Sequence, residues 1–256
     1  METTDLSAIW VYLSASPLLG LVITLLAYSL AHRVYVLNRC NPLLNPVVVA
    51  VIGLITVLKL TNTAYETYFE GGQYVHFLLG PATVALAVPL HQQFSKLKQL
   101  WLPVAIALLT GVVVSAVSAV AIASLFGASV QTQLSLAPKS VTAPVAMGIS
   151  EQIGGLPSLT AALVVTTGIL GAAIGHKLFQ HKLFQRMGIA SGASHSDAIK
   201  GIAMGVAAHG IGTARALQES AEMGAFSGLA MALSALTTAA IIPLLLRLVL
   251  SFVSFS

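Results

Sequence analysis

Charge is missing from six long stretches of this chain: Leu6 to Leu30, Leu43 to Leu58, Tyr74 to Leu90, Trp101 to Phe126, Leu156 to Gly175 and Gly224 to Leu246. A helix needs about 20 apolar residues to cross the roughly 30 Å hydrocarbon core of a bilayer, and these runs reach or approach that length. A closed barrel would instead show segments of about 10 residues with alternating polarity, whereas these runs are apolar throughout. With 57% hydrophobic and 8% charged residues, against about 25% charged in soluble domains, an ordinary soluble globule is excluded. The reading is an all-α polytopic membrane protein, one integral membrane domain over residues 1–256. Its N-terminal helices lie within 6–126, and the unusual residues fall in a C-terminal half, 136–250.

The first run differs from a secretory signal. Acidic Glu2 and Asp5 precede it, and it is longer than the roughly 7–15 residues of a signal's apolar region; a retained helix is expected. The single cysteine, Cys40, rules out an internal disulfide and a cysteine metal cluster. The net charge of +4 lies in loops without interleaved aromatics, so nucleic acid is not expected as a partner. Arg33 with Arg39, Lys96 with Lys98, and Lys177 with Lys182 and Arg186 each follow an apolar run, and the positive-inside rule makes those loops cytoplasmic. Glu66, Glu70, Glu219 and Glu222 are then expected on the outer side. Seven or eight crossings result: seven if Lys139 to Gly155 is a re-entrant hairpin, eight if it spans and the charge rule is broken once.

Two stretches interrupt the apolar pattern. In "APKSVTAPVAMGISEQIGG", Ala137 to Gly155, Lys139 and Glu151 stand among Pro138, Pro144, Gly154 and Gly155. A lysine at membrane depth costs about 2.5–3.5 kcal/mol on insertion scales and is normally paired, snorkelling or facing water. Lys139 is therefore read either as snorkelling to the interface or as the positive charge for an anionic ligand, with Ser140 and Thr142 as hydroxyl donors. Glu151 is read as an exposed turn carboxylate, a partner for Lys139 or Arg215, or a proton carrier. In "GIAMGVAAHGIGTARAL", Gly201 to Leu217, glycines at 205, 210 and 212 flank His209, and each costs about 1 kcal/mol of helix propensity relative to alanine. A break there, with a half-helix starting near Thr213, leaves free N–H groups around Ile211 to Ala214 as an anion site, and Gly210, Gly212 and Thr213 are read as binding residues. His209 lies at its mouth and Arg215 in its first turn. The other reading pairs Arg215 with Glu219 at the interface and packs His209 through hydrogen bonds.

Glycine pairs at four-residue spacing, Gly171 with Gly175, Gly201 with Gly205 and Gly224 with Gly228, are read as close-packing devices. "LLGPATVALAVP" (78–89) and "LAPKSVTAPVAM" (136–147) share small residues, threonine and prolines, which fits either an internal transporter-like repeat or coincidence. No HExxH, GxSxG or P-loop pattern is found, so an enzyme is not expected.

The stretches "LAPKSVTAPVAMGISEQIGGLPSLTA", "AAHGIGTARALQ", "GAFSGLAMALSALTTAAIIPLL" and "FLLGPATVALAVPL" together resemble the LrgB/CidB family of membrane proteins. The resemblance implies holin-like or antiholin-like control of murein hydrolases and cell lysis, beside a small LrgA/CidA-type partner. It also implies kinship with carriers of small carboxylates, among them the plastid glycolate/glycerate transporter. Lacking the transit peptide and LrgA-like half of the plant proteins, the chain is expected in a bacterial inner membrane.

The sequence favours a transporter of small monocarboxylates (glycolate, glycerate, pyruvate or lactate) working by alternating access. The anion would be held between the two broken helices, without a cofactor, with protons or sodium as optional coupling ions. The alternative is a holin/antiholin-like protein acting through homo-oligomeric assembly.

Overall fold

The structure, a computed structural model, describes residues 17–38, 44–78, 81, 84–85, 87–179 and 195–253. Regular structure among them is helical throughout, and the chain divides into two compact units, residues 1–85 and 86–256. Four helices are long and apolar enough to cross a membrane: Leu18–Leu37, Phe94–Leu125, Pro157–Phe179 and Ala221–Leu245. The protein is thus a multi-pass membrane protein. These four are fewer than the seven or eight segments counted from the sequence, because the remaining described runs fold as shorter or broken pieces. Arg39, Cys40, Lys182 and Arg186, and residues 6–16 of the first apolar run, lie outside the described residues, as does part of the segment 78–89 offered as a repeat.

In the first unit, α1 (Pro17–Leu37) packs on α2 (Pro46–Leu60) and α3 (Tyr65–Phe77). The start of α2 is fixed by Pro46 at its first position and by the Asn45 side chain, which accepts from the Val47 N–H at 2.9 Å. The absence of a side chain at Gly20 lets α1 lie against the backbone of Tyr68 and Gly71. Thr24 and Tyr68 join their hydroxyls beside it at 2.8 Å.

The second unit contains α4 (Ala87–Gln92), α5 (Phe94–Leu125), α6 (Val130–Leu136), α7 (Ala143–Gln152), α8 (Pro157–Phe179), α9 (Ser196–Glu219) and α10 (Ala221–Val253). Helices α5 and α10, each about 48 Å long, run parallel. Near their starts Lys96 pairs with Glu222; further along, Val104 and Leu108 pack in one core with Phe226 and Ala230. Deeper still, Ser115, Ser234 and Thr238 line one small cavity. Helix α8 runs the opposite way, so that Phe179 near its end packs with Met204, Ala216 and Met223. The outer faces of these helices stay apolar and exposed, as Trp101, Ile106, Val117 and Leu236 show, which is the pattern of a surface facing lipid.

Helix α9 does not cross. At His209 the backbone takes φ 40° and ψ −130°, and the chain reverses. A Cβ added at Gly212 would stand 2.7 Å from the Met204 carbonyl oxygen and 2.6 Å from Ala208 Cβ, whereas a continuous helix sets residues 204 and 212 about 12 Å apart. The two halves, 196–208 and 210–219, therefore lie side by side, and Gly212 is needed because any side chain would part them. The open end is tied by Ser220, which donates to Asp197 at 2.7 Å and accepts from the Met223 N–H at 3.0 Å.

This reversal corrects one expectation. Glu222 and Glu219 were placed on the side opposite Lys96, yet Glu222 is bonded to Lys96 and Glu219 closes the same end of the hairpin. Counting residues 201–217 as a crossing moved the acids to the wrong face; as a hairpin, the segment returns to the face it left.

Two of the three glycine pairs do bring helices close. Gly171 and Gly175 of α8 meet Ala208 and Met204, while Gly201 and Gly205 of α9 meet the Met223 and Ser227 carbonyls. At Gly205 an added Cβ would also lie 2.8 Å from that of Ala230. Gly205→Ala is expected to lower stability by about 1–3 kcal/mol through overpacking, measurable as a fall in the thermal midpoint in detergent. In a Cys40→Ser background, Lys98→Cys and Glu219→Cys are expected to react with a membrane-impermeant maleimide from the same face; labelling from opposite faces would contradict the hairpin.

Candidate functional site

The stretch between α6 and α8 makes a second excursion. Helix α6 is about 10 Å long and α7 about 15 Å, so neither crosses a bilayer. Pro144 in the first turn of α7 lacks a donor that an N-terminus would leave unused, and Gly154, at φ 86°, ends the segment in a conformation that favours glycine. The two limbs are clasped at their base by buried hydroxyls. Ser135 accepts from the Leu156 N–H at 2.8 Å, and Thr160 donates to Ser150 at 2.7 Å and lies 3.1 Å from the Ser135 carbonyl. The chain thus leaves at Ser135 and returns by Ser150, as a hairpin reading requires. Gly155 has no room for a Cβ beside these serines.

The far turn of this excursion lies in the middle of the helix pack. Ser140 bonds Ser115 at 2.7 Å, and Ser115 precedes the end of α5 by ten residues, about 15 Å of helix. That is about half the hydrocarbon thickness. The other turn, at His209, arrives from the opposite end. Its Nε2 lies 3.0 Å from the Val164 carbonyl of α8, so Nε2 carries the proton and donates. Val164 in turn packs with Val141 of the first turn and with Ala146 and Ala235. Two reversals entering from opposite ends therefore meet around Val164.

Lys139 is half-buried. Its Nζ has two polar partners among the described residues, Ser140 Oγ at 3.3 Å and Ser115 Oγ at 3.4 Å, and no carboxylate within ion-pair distance. Both bonds are long for an ammonium donor, so the charge is incompletely satisfied where compensation is most needed. A small cavity on which its two partners Ser115 and Ser140 border, lined also by Val112, Pro138, Val206, Ser234 and Thr238 among others, has about 10 Å³ for the centre of a water-sized group. Ser234 is 1% exposed, and its Oγ has no hydrogen-bond partner among the described residues.

The residues picked from the sequence fall into two clusters, with Arg215 and Glu151 each standing apart. Lys139 and Ser140 stand together at the first turn, with half-buried Thr142 starting α7 without a side-chain capping bond. His209, Gly210, Gly212 and Thr213 form the second turn, where Thr213 donates to the His209 carbonyl at 2.8 Å and meets the Ser227 hydroxyl at 2.9 Å. The break thus falls at His209, where it was expected, and the second half-helix starts at residue 210, three residues before the expected start near Thr213. Arg215 lies further towards the open end of the hairpin, 2.8 Å from Glu219 and 3.2 Å from Gln218; the pairing with Glu219 is one that the sequence also allowed. Glu151 is exposed near the end of α7 and forms no ion pair with Lys139 or Arg215.

Sequence reasoning missed Ser115, Ser234 and Thr238, because an isolated hydroxyl in an apolar helix ordinarily bonds its own preceding carbonyl. A larger groove of about 480 Å³ between α5 and α9 is apolar apart from Thr110 and glycine backbone, and offers nothing to an anion.

The model of the LrgB-like family matches residues 24–248. The holin-like protein CidB of Staphylococcus epidermidis is 33% identical over 237 residues, 93% of this chain and 98% of that protein. The holin-like protein CidB of Staphylococcus aureus is 32% identical over 231 residues, 90% of this chain and 96% of that protein. The antiholin-like protein LrgB of Bacillus mycoides is 31% identical over 229 residues, 90% and 95% of the two chains. No solved structure matches.

Two substitutions separate scaffold from site. Ser135→Ala leaves the Leu156 N–H without its side-chain acceptor and is expected to cost about 1–3 kcal/mol, read as a lower unfolding midpoint. Lys139→Met keeps the apolar stem and removes a poorly satisfied charge; its midpoint is expected to be at or above that of the parent.

Proposed function

We propose that this chain, which belongs to the LrgB-like family, acts as a holin/antiholin-like protein of the bacterial inner membrane. In this reading it modulates murein hydrolase activity and lysis as a homo-oligomer, beside a small LrgA/CidA-type partner. The observation that carries it is the naming of its relatives over nine-tenths of the chain. Those names reverse the order of preference drawn from the sequence. The apolar exposed faces of α5 and α10 are compatible with assembly in the bilayer. Expression in a bacterial host is expected to change the rate of autolysis and the released murein hydrolase activity, and cross-linking in native membranes is expected to trap oligomers. Unchanged autolysis with and without an LrgA-type partner would defeat the proposal.

The meeting of the two turns favours a second, finer reading: passage of small monocarboxylates such as pyruvate, lactate, glycolate or glycerate. Its support is Lys139, a cation at mid-depth with hydroxyl neighbours and no carboxylate partner among the described residues. Discontinuous helices that meet near the midplane are a recurrent way of building a carrier site. Protons or sodium would serve as coupling ions. In proteoliposomes, uptake of labelled pyruvate is expected to saturate and to fall at least tenfold with Lys139→Met. Unsaturable leakage of ions and larger solutes would favour a pore, and no uptake in any gradient would remove the carrier reading.

A further inference from the structure

We propose that Ser115, Ser140, Ser234 and Thr238, with Lys139, form a subsite for the head of a singly charged carboxylate; this deepens the carboxylate reading and rests on it. Ser115 of α5, Ser140 of the first turn, and Ser234 and Thr238 of α10, from three pieces of chain remote in sequence, line one small cavity, and Lys139 Nζ reaches two of these lining hydroxyls, Ser140 at 3.3 Å and Ser115 at 3.4 Å. Four offer hydroxyls and the fifth an ammonium.

Ser234 decides what the cavity is for. Its hydroxyl is buried and lines the cavity, yet bonds nothing among the described residues, a state that buried polar groups ordinarily avoid. A water molecule would satisfy Ser234 but leave the ammonium without an opposite charge. A metal cation would accept the hydroxyl oxygens but would sit against Lys139 Nζ. An anion answers both needs: Ser234 and Thr238 donate to one side, Ser115 or Ser140 to another, and the ammonium supplies the charge-assisted bond.

The walls set the class of anion. Room for about one water-sized group admits a single carboxylate oxygen in this conformation. The remaining lining, Val112, Ala137, Pro138, Val141 and Val206, is apolar, so a second negative charge on the ligand would find no partner there. Monocarboxylates are accepted and dicarboxylates or phosphate refused.

The test uses the full chain in lipid nanodiscs and reads the unfolding midpoint and titration calorimetry against pyruvate, succinate, inorganic phosphate and chloride. Pyruvate is expected to raise the midpoint saturably, as ligands selective for the folded state do, with succinate and phosphate at least tenfold weaker. Ser234→Ala and Thr238→Val are each expected to weaken pyruvate about tenfold, the loss of one hydrogen bond to a charged group, with Ser234→Cys intermediate. Should either variant fail to fold, Ser140→Ala at the half-buried turn supplies the same readout.

Equal shifts with succinate, an equal response to chloride alone, or folded variants that bind pyruvate like the parent would each overturn the subsite. If parent and variants all take up pyruvate equally in proteoliposomes, the subsite fails and the carrier reading stands. Absence of both binding and uptake removes the two together.

Discussion

Everything in the second unit follows from one constraint: a polypeptide that turns back inside a bilayer must satisfy its backbone without water. Both reversals meet that demand with hydroxyls and glycines in place of charges. At the base of the first, Ser135, Ser150 and Thr160 absorb the amide and carbonyl groups where the limbs converge. At the second, Thr213 covers the His209 carbonyl while the imidazole is held by Val164. Three long helices then surround the turns, and Gly201 and Gly205 of α9 let its backbone approach that of α10 closely.

The same economy explains why a lysine is the conspicuous residue. A turn supported by neutral hydroxyls needs no ammonium, and Lys139 makes only two long bonds to serines. The charge is therefore surplus to the scaffold. By contrast Lys96 with Glu222 and Arg215 with Glu219 gather at one end, where a partner and water limit their cost.

The sequence revealed the class of protein readily, because absence of charge over membrane-length runs has few physical meanings. It also located both breaks, since Pro138, Pro144 and the glycines around His209 weaken helices locally. What it concealed was direction. Gly212 shows that the chain is free to bend, but only its contact with Met204 shows that the bend is a full reversal, and that contact depends on packing. Misplacing Glu222 was the result. Lys139 and Ser140 were legible as a pair adjacent in the chain, whereas Ser115, Ser234 and Thr238 acquire meaning only when α5 and α10 lie parallel.

That parallel arrangement gives α10 a second property. Glu222, Phe226, Ala230, Ser234 and Thr238 follow one another every fourth residue along a single ridge of the helix, from the ion pair at one end, through the core, to the hidden hydroxyls. Depth and chemistry are thereby graduated on one rod. Inserting a single residue between Ala230 and Ser234 would turn everything beyond it by about 100°, sending both hydroxyls toward another face while leaving the helix itself whole.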